Sequence, residues 1–241
     1  MNWKKLLYFL VIIIVLIIVF ITYKFFSTTR ISNTSISGWF VGNQIWSGSV
    51  YITGDVDILG NLIKSYSTTH SSLFILGKLI AKGERANPIV FTSAEQNPNL
   101  ADWEAIIFRG DGSIVDNIIV EYTRNGINPT GKQPNSVIQN TVSRHALWGA
   151  ISSANSNIKI INNYLSDAGH EGIDLKFNGN QEVSGNIIDD CHTGIASIAG
   201  SQIIKNNIIT NCGDGVYIDP KSSAACPAVA GHEIRRRNRY D

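Results

Sequence analysis

Residues 117–127, NIIVEYTRNGI, return as NTVSRHALWGA (140–150), NYLSDAGHEGI (163–173), NIIDDCHTGI (186–195) and NIITNCGDGV (207–216). Each copy opens on Asn, continues with apolar or β-branched residues, and closes on Gly or Ala next to another apolar residue. The Asn markers 117, 140, 163, 186 and 207 stand 21 to 23 residues apart, and the Gly markers 126, 149, 172, 194 and 215 keep step with them. A period this short leaves no room for paired helices, and no apolar stripe recurs at helical spacing. Strand-length runs broken by Gly and Asn at a fixed period predict one turn of a parallel β-solenoid per repeat.

In such a coil, equivalent residues stack in columns along the axis, about 4.8 Å apart. Two inward apolar columns are expected, one of Ile119, Val142, Leu165, Ile188 and Ile209, the other of Ile127, Ala150, Ile173, Ile195 and Val216. The five Asn markers are expected to form a ladder at a bend, where Asn tolerates left-handed backbone angles and its amide can bond its stacked copies. No single turn buries its own apolar face, so stability must accrue between neighbours.

The segments NNIITNCGDGVYID and NNYLSDAGHEGIDL resemble the coil repeat of the right-handed parallel β-helix proteins of the pectin-lyase-like superfamily. The stretch from IWSGSVYITGDVDI through NPIVFTSAEQNPNLADWEAIIFRG is similar to the lead-in of secreted proteins of this type, so the resemblance covers roughly residues 38 to 219. It implies an all-β, right-handed parallel β-helix. It does not imply one activity, because the superfamily holds lyases, glycosidases and adhesins. Its polygalacturonases would show an Asp pair, a Gly-His-Gly turn and a later Arg-x-Lys. Here Asp189-Asp190 follows His170 rather than preceding it, and no Arg-x-Lys comes after. No catalytic set carries over.

Four parts are expected along the 241 residues. Residues 1–26 hold an unbroken apolar run, Leu6 to Ile21, flanked by Lys4, Lys5 and Lys24, which reads as one N-terminal transmembrane helix. The competing reading is a cleaved signal, but no A-x-A pattern follows the run. Either reading exports the body, giving a single-pass membrane protein with the β-helix outside the cytoplasm, or a secreted one. Residues 27–37 read as a polar tether, 38–219 as the β-helix, and 220–241 as an irregular tail whose uncapped junction at Asp219 leaves room for a longer adhesin. A net charge of +1, with 16% charged residues, provides no field for nucleic acid.

Outward columns are where a solenoid keeps its chemistry. Four residues after each Asn marker stand Glu121, Arg144, Asp167, Asp190 and Asn211. Asp167 and Asp190 on adjacent turns would approach to about 5 Å, a spacing that suits a retaining glycosidase pair or an oxygen-ligand Ca2+ site. Solvated surface, with Arg144 neutralising Asp167, is the plainer alternative. The column before the Gly markers, Asn125, Trp148, Glu171, Thr193 and Asp214, offers Trp148 for stacking on a sugar ring beside Glu171 and the other acids. The three His residues nearby, 145, 170 and 192, fall at different phases of the repeat. Cys191 and Cys212 share a column, as a disulfide or as stacked thiols, and no ligand set for a transition metal is present. Together these features describe an exported β-helix that engages a polysaccharide or cell-surface glycan without catalysis. A polysaccharide lyase or glycoside hydrolase using Asp167, Asp190 and Arg144 is the alternative.

Overall fold

The computed structural model describes residues 3, 8–17, 28–32, 35–41, 43–47, 50–59, 62–66, 71–219, 228–231 and 233–235. Over the body the chain winds as a right-handed parallel β-solenoid. Three strands per turn build three sheets that run the length of the coil. One sheet contains Leu79–Lys82, Ile114–Asp116, Val137–Gln139, Lys159–Ile161, Glu182–Ser184 and Ile203–Lys205. A second contains Ile89–Ser93, Ile118–Glu121, Val142–Ala146, Ile208–Thr210 and the first halves of the long strands Tyr164–Gly179 and Ile187–Gly200. The third contains Leu73–Ile75, Ile106–Phe108, Ile127–Pro129, Ile151–Ala154, the second halves of those long strands, and Asp214–Ile218. Every one of these pairings is parallel.

Strand alternation decides what lies inside. In the second sheet the inward column is Val120, Ser143, Leu165, Ile188 and Ile209, and all five are buried. This corrects the expected column at its first two members. Ile119 and Val142 point outward, because Val142 pairs with Tyr164 rather than with Leu165. Only 22 residues separate that pair, against 23 from Ile119 to Val142, and one residue of slip exchanges the two faces of a strand. In the third sheet the inward column is Ile127, Ile151, Ile173, Ile195 and Val216, so Ile151 stands where Ala150 was expected.

The bend between the first two sheets shows the same slip. Left-handed backbone angles fall on Asn117, Asn140, Asn162, Gly185, Asn206 and Gly231. The ladder is built by the residue after the bend, and it holds three of the five expected asparagines. Asn163 Nδ2 donates to Asn186 Oδ1, and Asn186 Nδ2 donates to Asn207 Oδ1, each at 2.9 Å. The same three side chains donate to the carbonyls of Ile138, Ile160 and Val183. Each Oδ1 also accepts a backbone N–H from the preceding coil: Thr141 to Asn163, Asn163 to Asn186, Asn186 to Asn207. These amides are buried, and each satisfies a bend that would otherwise strand main-chain groups. Asn117 and Asn140 instead reach outward to Asp116.

Both flanks differ from expectation. The polar run 27–37 contributes Thr28–Ser32 and the start of Ser35–Val41, in parallel register with Asn43–Ser47 and Val50–Leu59. Ladder bonds join backbones, so a strand rich in Thr and Ile can join the coil without an apolar pattern. Beyond 219, Ala228–Ala230 and Glu233–Arg235 pair with Ile203–Lys205 and Ile208–Thr210 and extend the coil. Gly231 takes the left-handed bend there at φ 68°, which hides the turn from an Asn-based marker. The rest of 220–241 lies outside the described residues. The apolar run Leu6 to Ile21 is helical over 8–17, and among the described residues no helix is long and apolar enough to cross a membrane. Its remaining residues, 6–7 and 18–21, lie outside the described set.

Asn186→Ala removes bonds to two neighbouring coils and strands the Asn163 N–H, so it is expected to destabilise the fold by about 1–3 kcal/mol in urea unfolding. Asn140→Gly, at an exposed left-handed bend, is expected to stay within about 0.5 kcal/mol of the parent.

Candidate functional site

Where the second sheet turns into the third, the coils carry their most varied side chains. Ile127 and its partner Ile151 are 24 residues apart, against 23 for Glu121 and Arg144, so the coil from Arg144 to Ile151 has one residue more at this corner than the coil before it. An added residue bends a strand and re-aims its side chains. Trp148 sits on this bend, 48% exposed, and its ring meets that of His170 at 5.6 Å. His170 in turn stacks on His192 at 5.3 Å with the planes 24° apart. Rings from three successive coils thus form one row. The expected separation of these histidines in phase is corrected here: His170 and His192 share a column with Trp148, hidden because Asn140 and Asn163 are not equivalent positions and because the register shifts by one residue between Ala168/Cys191 and Glu171/Thr193.

Beside this row lies a cleft of about 510 Å³ lined by Glu104, Arg124, Asn125, Trp148, His170, Glu171, Asp174 and Lys176. Ligand clefts typically fall in this range of size. Its acids and bases are matched. Glu104 faces Arg124 at 3.9 Å and accepts from Asn125 at 3.1 Å. Glu171 Oε1 lies 2.5 Å from His170 Nδ1. Asp174 belongs to an outward-facing position of the third sheet yet its side chain is only 2% exposed, ion-paired with Lys176 and accepting from the Ser152 hydroxyl at 3.2 Å. Two polar atoms of the lining, Asp174 Oδ1 and Arg124 Nε, are buried without a hydrogen-bond partner. Such atoms carry a desolvation cost that a ligand or an ordered water would relieve.

Of the residues singled out from sequence, Trp148 and Glu171 line this cleft. Asn125 and His170 line it beside them, while Glu121, Arg144, Asp167 and Asp190 lie elsewhere. Glu121 pairs in register with Arg144, and Arg144 Nε donates to its Oε2 at 2.9 Å while Thr92 donates to Oε1 at 3.0 Å. Arg144 therefore neutralises Glu121, not Asp167. Asp167 and Asp190 stand one position further along, on the left-handed corner with Tyr122, His145 and Asn211. His145 Nδ1 approaches Asp167 Oδ2 at 2.5 Å and its ring stacks on Tyr122 at 5.0 Å. The candidates Asp167, Asp190 and Arg144 thus fall into two columns, and none lines the cleft. Among the described residues no group of three or more His, Cys, Asp or Glu is placed to hold a metal ion. Asp174 and Lys176 escaped sequence reading because a strand's outward positions give no sign of which one will be buried.

Cys191 and Cys212 are free and buried, stacked below Ala168. The hydrogen bond with Cys212 and burial together push the Cys191 thiol up, while the bond received from Cys191 draws Cys212 down. The thiolate is the reactive form. In the folded protein at mildly alkaline pH, mass mapping after iodoacetamide treatment is expected to find Cys212 modified before Cys191, and Cys191 modified only once the coil is unfolded.

A family model described as a right handed beta helix region matches residues 96–228, more than half of the chain, and the chain belongs to that family. No curated protein and no solved structure matches the chain significantly.

Proposed function

We propose that this member of the right-handed β-helix family is a glycan-binding module, and that it uses the cleft around Trp148 and Asp174 without catalysis. The observation that carries the reading is the row of Trp148, His170 and His192 rings beside a cleft of matched acids and bases. Sugar rings present an apolar C–H face and a rim of hydroxyls. A half-exposed indole suits the first, and carboxylate and cation side chains suit the second. The orphaned Asp174 Oδ1 and Arg124 Nε offer one acceptor and one donor to such a rim. Each lining carboxylate already has a partner, Arg124 for Glu104, His170 for Glu171 and Lys176 for Asp174. That arrangement favours holding hydroxyls over delivering a proton to a leaving group.

The apolar run Leu6 to Ile21 supports a body carried outside the cytoplasm on an N-terminal anchor. A second reading, a polysaccharide lyase or hydrolase, rests on the His170–Glu171 contact, where a carboxylate orients an imidazole at the mouth of the cleft.

Full-length protein in detergent, incubated with plant, bacterial and algal polysaccharides, is expected to be retained on at least one polymer without releasing soluble sugar. Trp148→Ala is expected to weaken retention roughly 3- to 10-fold, the worth of one ring contact, while Arg144→Ala, outside the cleft, leaves it unchanged. Sugar release that disappears in Glu171→Gln and His170→Ala would replace the binding reading with the catalytic one.

A further inference from the structure

The outer face of the second sheet breaks the rule that outward positions of a soluble coil are polar. Its first outward column runs Val90, Ile119, Val142, Tyr164, Ile187 and Ile208, in unbroken parallel register over six coils. Tyr164 and Ile187 are 42% exposed and Ile208 is 38% exposed, and the first three are half-buried. The corresponding column of the first sheet, Ile80, Ile114, Val137, Lys159, Glu182 and Ile203, is also apolar at both ends but is interrupted at its centre by two charges. At about 4.8 Å per coil the stripe is roughly 24 Å long. Contiguous exposed apolar surface of this kind marks an interaction site.

What flanks the stripe says what covers it. Two positions along each strand stand Glu121, Arg144, Ser166, Asp189 and Thr210. Lay a second copy of the sheet face to face, with its axis reversed, about a two-fold through the coil of Tyr164 and Ser166. Ile187 then faces Val142 and Ile208 faces Ile119, so apolar residues meet apolar ones over the central five coils, and at each end Val90 faces Glu233, the residue that follows Ile208 in the column. Arg144 faces Asp189 of the second copy, twice by symmetry, and Glu121 faces the uncharged Thr210. Within these two columns no like charges meet. Asp189 uses Oδ1 for both Thr210 and Asn211, which leaves Oδ2 to accept from a guanidinium. A parallel arrangement would instead carry the two charged columns to opposite sides of the interface and lose both ion pairs.

We infer that this face is a self-association surface, on which two chains pack antiparallel through the stripe. The contact covers roughly 400 Å² per partner, about half of a standard-sized interface, so the pair forms weakly and in proportion to concentration. Symmetry of this isologous kind brings a residue on the two-fold opposite its own copy.

Full-length protein in detergent tests the inference by thiol crosslinking with a reagent that spans about 10 Å, the spacing of packed sheets. The parent chain with its native cysteines sets the background. Ser166→Cys lies on the two-fold and is expected to give at least fivefold more covalent dimer than the parent. Thr210→Cys lies far from its own copy and is expected to stay at background, but to crosslink when mixed with Glu121→Cys. Adding Ile187→Asp to Ser166→Cys is expected to return dimer to background with an unchanged far-UV spectrum, and Tyr164→Thr serves if that variant does not fold. Ser166→Cys at background would overturn the inference in favour of a lipid surface or another part of this chain as the cover. Equal crosslinking by Ser166→Cys and Thr210→Cys would overturn it in favour of parallel or unspecific contact.

Discussion

In a parallel coil the main chain of every turn is completed by the turns above and below it, so each residue's neighbours are fixed by a register of whole residues. At a strand the backbone ladder enforces this. At a bend it is incomplete: Asn162, Gly185 and Asn206 still donate to the carbonyls of Ser184, Lys205 and Ala230, but the N–H groups of Thr141, Asn163 and Asn186 are received by side chains. The chain of Asn163, Asn186 and Asn207, each accepting one main-chain N–H and donating to a carbonyl of the coil before, is what closes that bend over three turns. Where it ends, the Thr141 N–H is still received by Asn163, while the Thr141 hydroxyl donates to the Gln139 carbonyl of its own coil and Asn140 turns outward to Asp116. The inward apolar columns, the outward stripe and the ring row all inherit their alignment from this register.

Sequence periodicity made the fold legible because a solenoid repeats its solution. Gly and Asn at fixed spacing, with β-branched residues between, are required independently by every coil, so the signal adds up. The phase within a coil was less legible. Two adjacent asparagines, 162-163 and 206-207, serve different purposes, one taking the left-handed bend and one the ladder, and periodicity cannot say which is which. Choosing the second of each pair placed Ile119 and Val142 inside and set Glu121 and Arg144 in line with Asp167. The same ambiguity, with the one-residue shift between Ala168/Cys191 and Glu171/Thr193, concealed the Trp148–His170–His192 row.

The candidate site shows where sequence reading stops. Trp148 and Glu171 could be found, because an aromatic residue and an acid at outward positions of a regular column are conspicuous. Asp174 could not, since its 2% exposure and its pairing with Lys176 and Ser152 arise in the packed coil and leave no mark in the pattern of residue types. A buried acid among its partners, beside half-exposed rings, defines a cleft that no column of residue types displays.

Register is therefore the claim on which the account rests, and one pair of double variants tests it directly. Stacked outward residues on adjacent parallel strands lie about 4.8 Å apart at Cα, within the reach of a disulfide. Val142→Cys with Tyr164→Cys is predicted to form an intramolecular disulfide readily under mild oxidation, whereas Val142→Cys with Leu165→Cys, one facing out and one in, is predicted not to. Efficient bridging of 142 to 165 and not to 164 would contradict the register, and with it the stripe and the ring row built upon it.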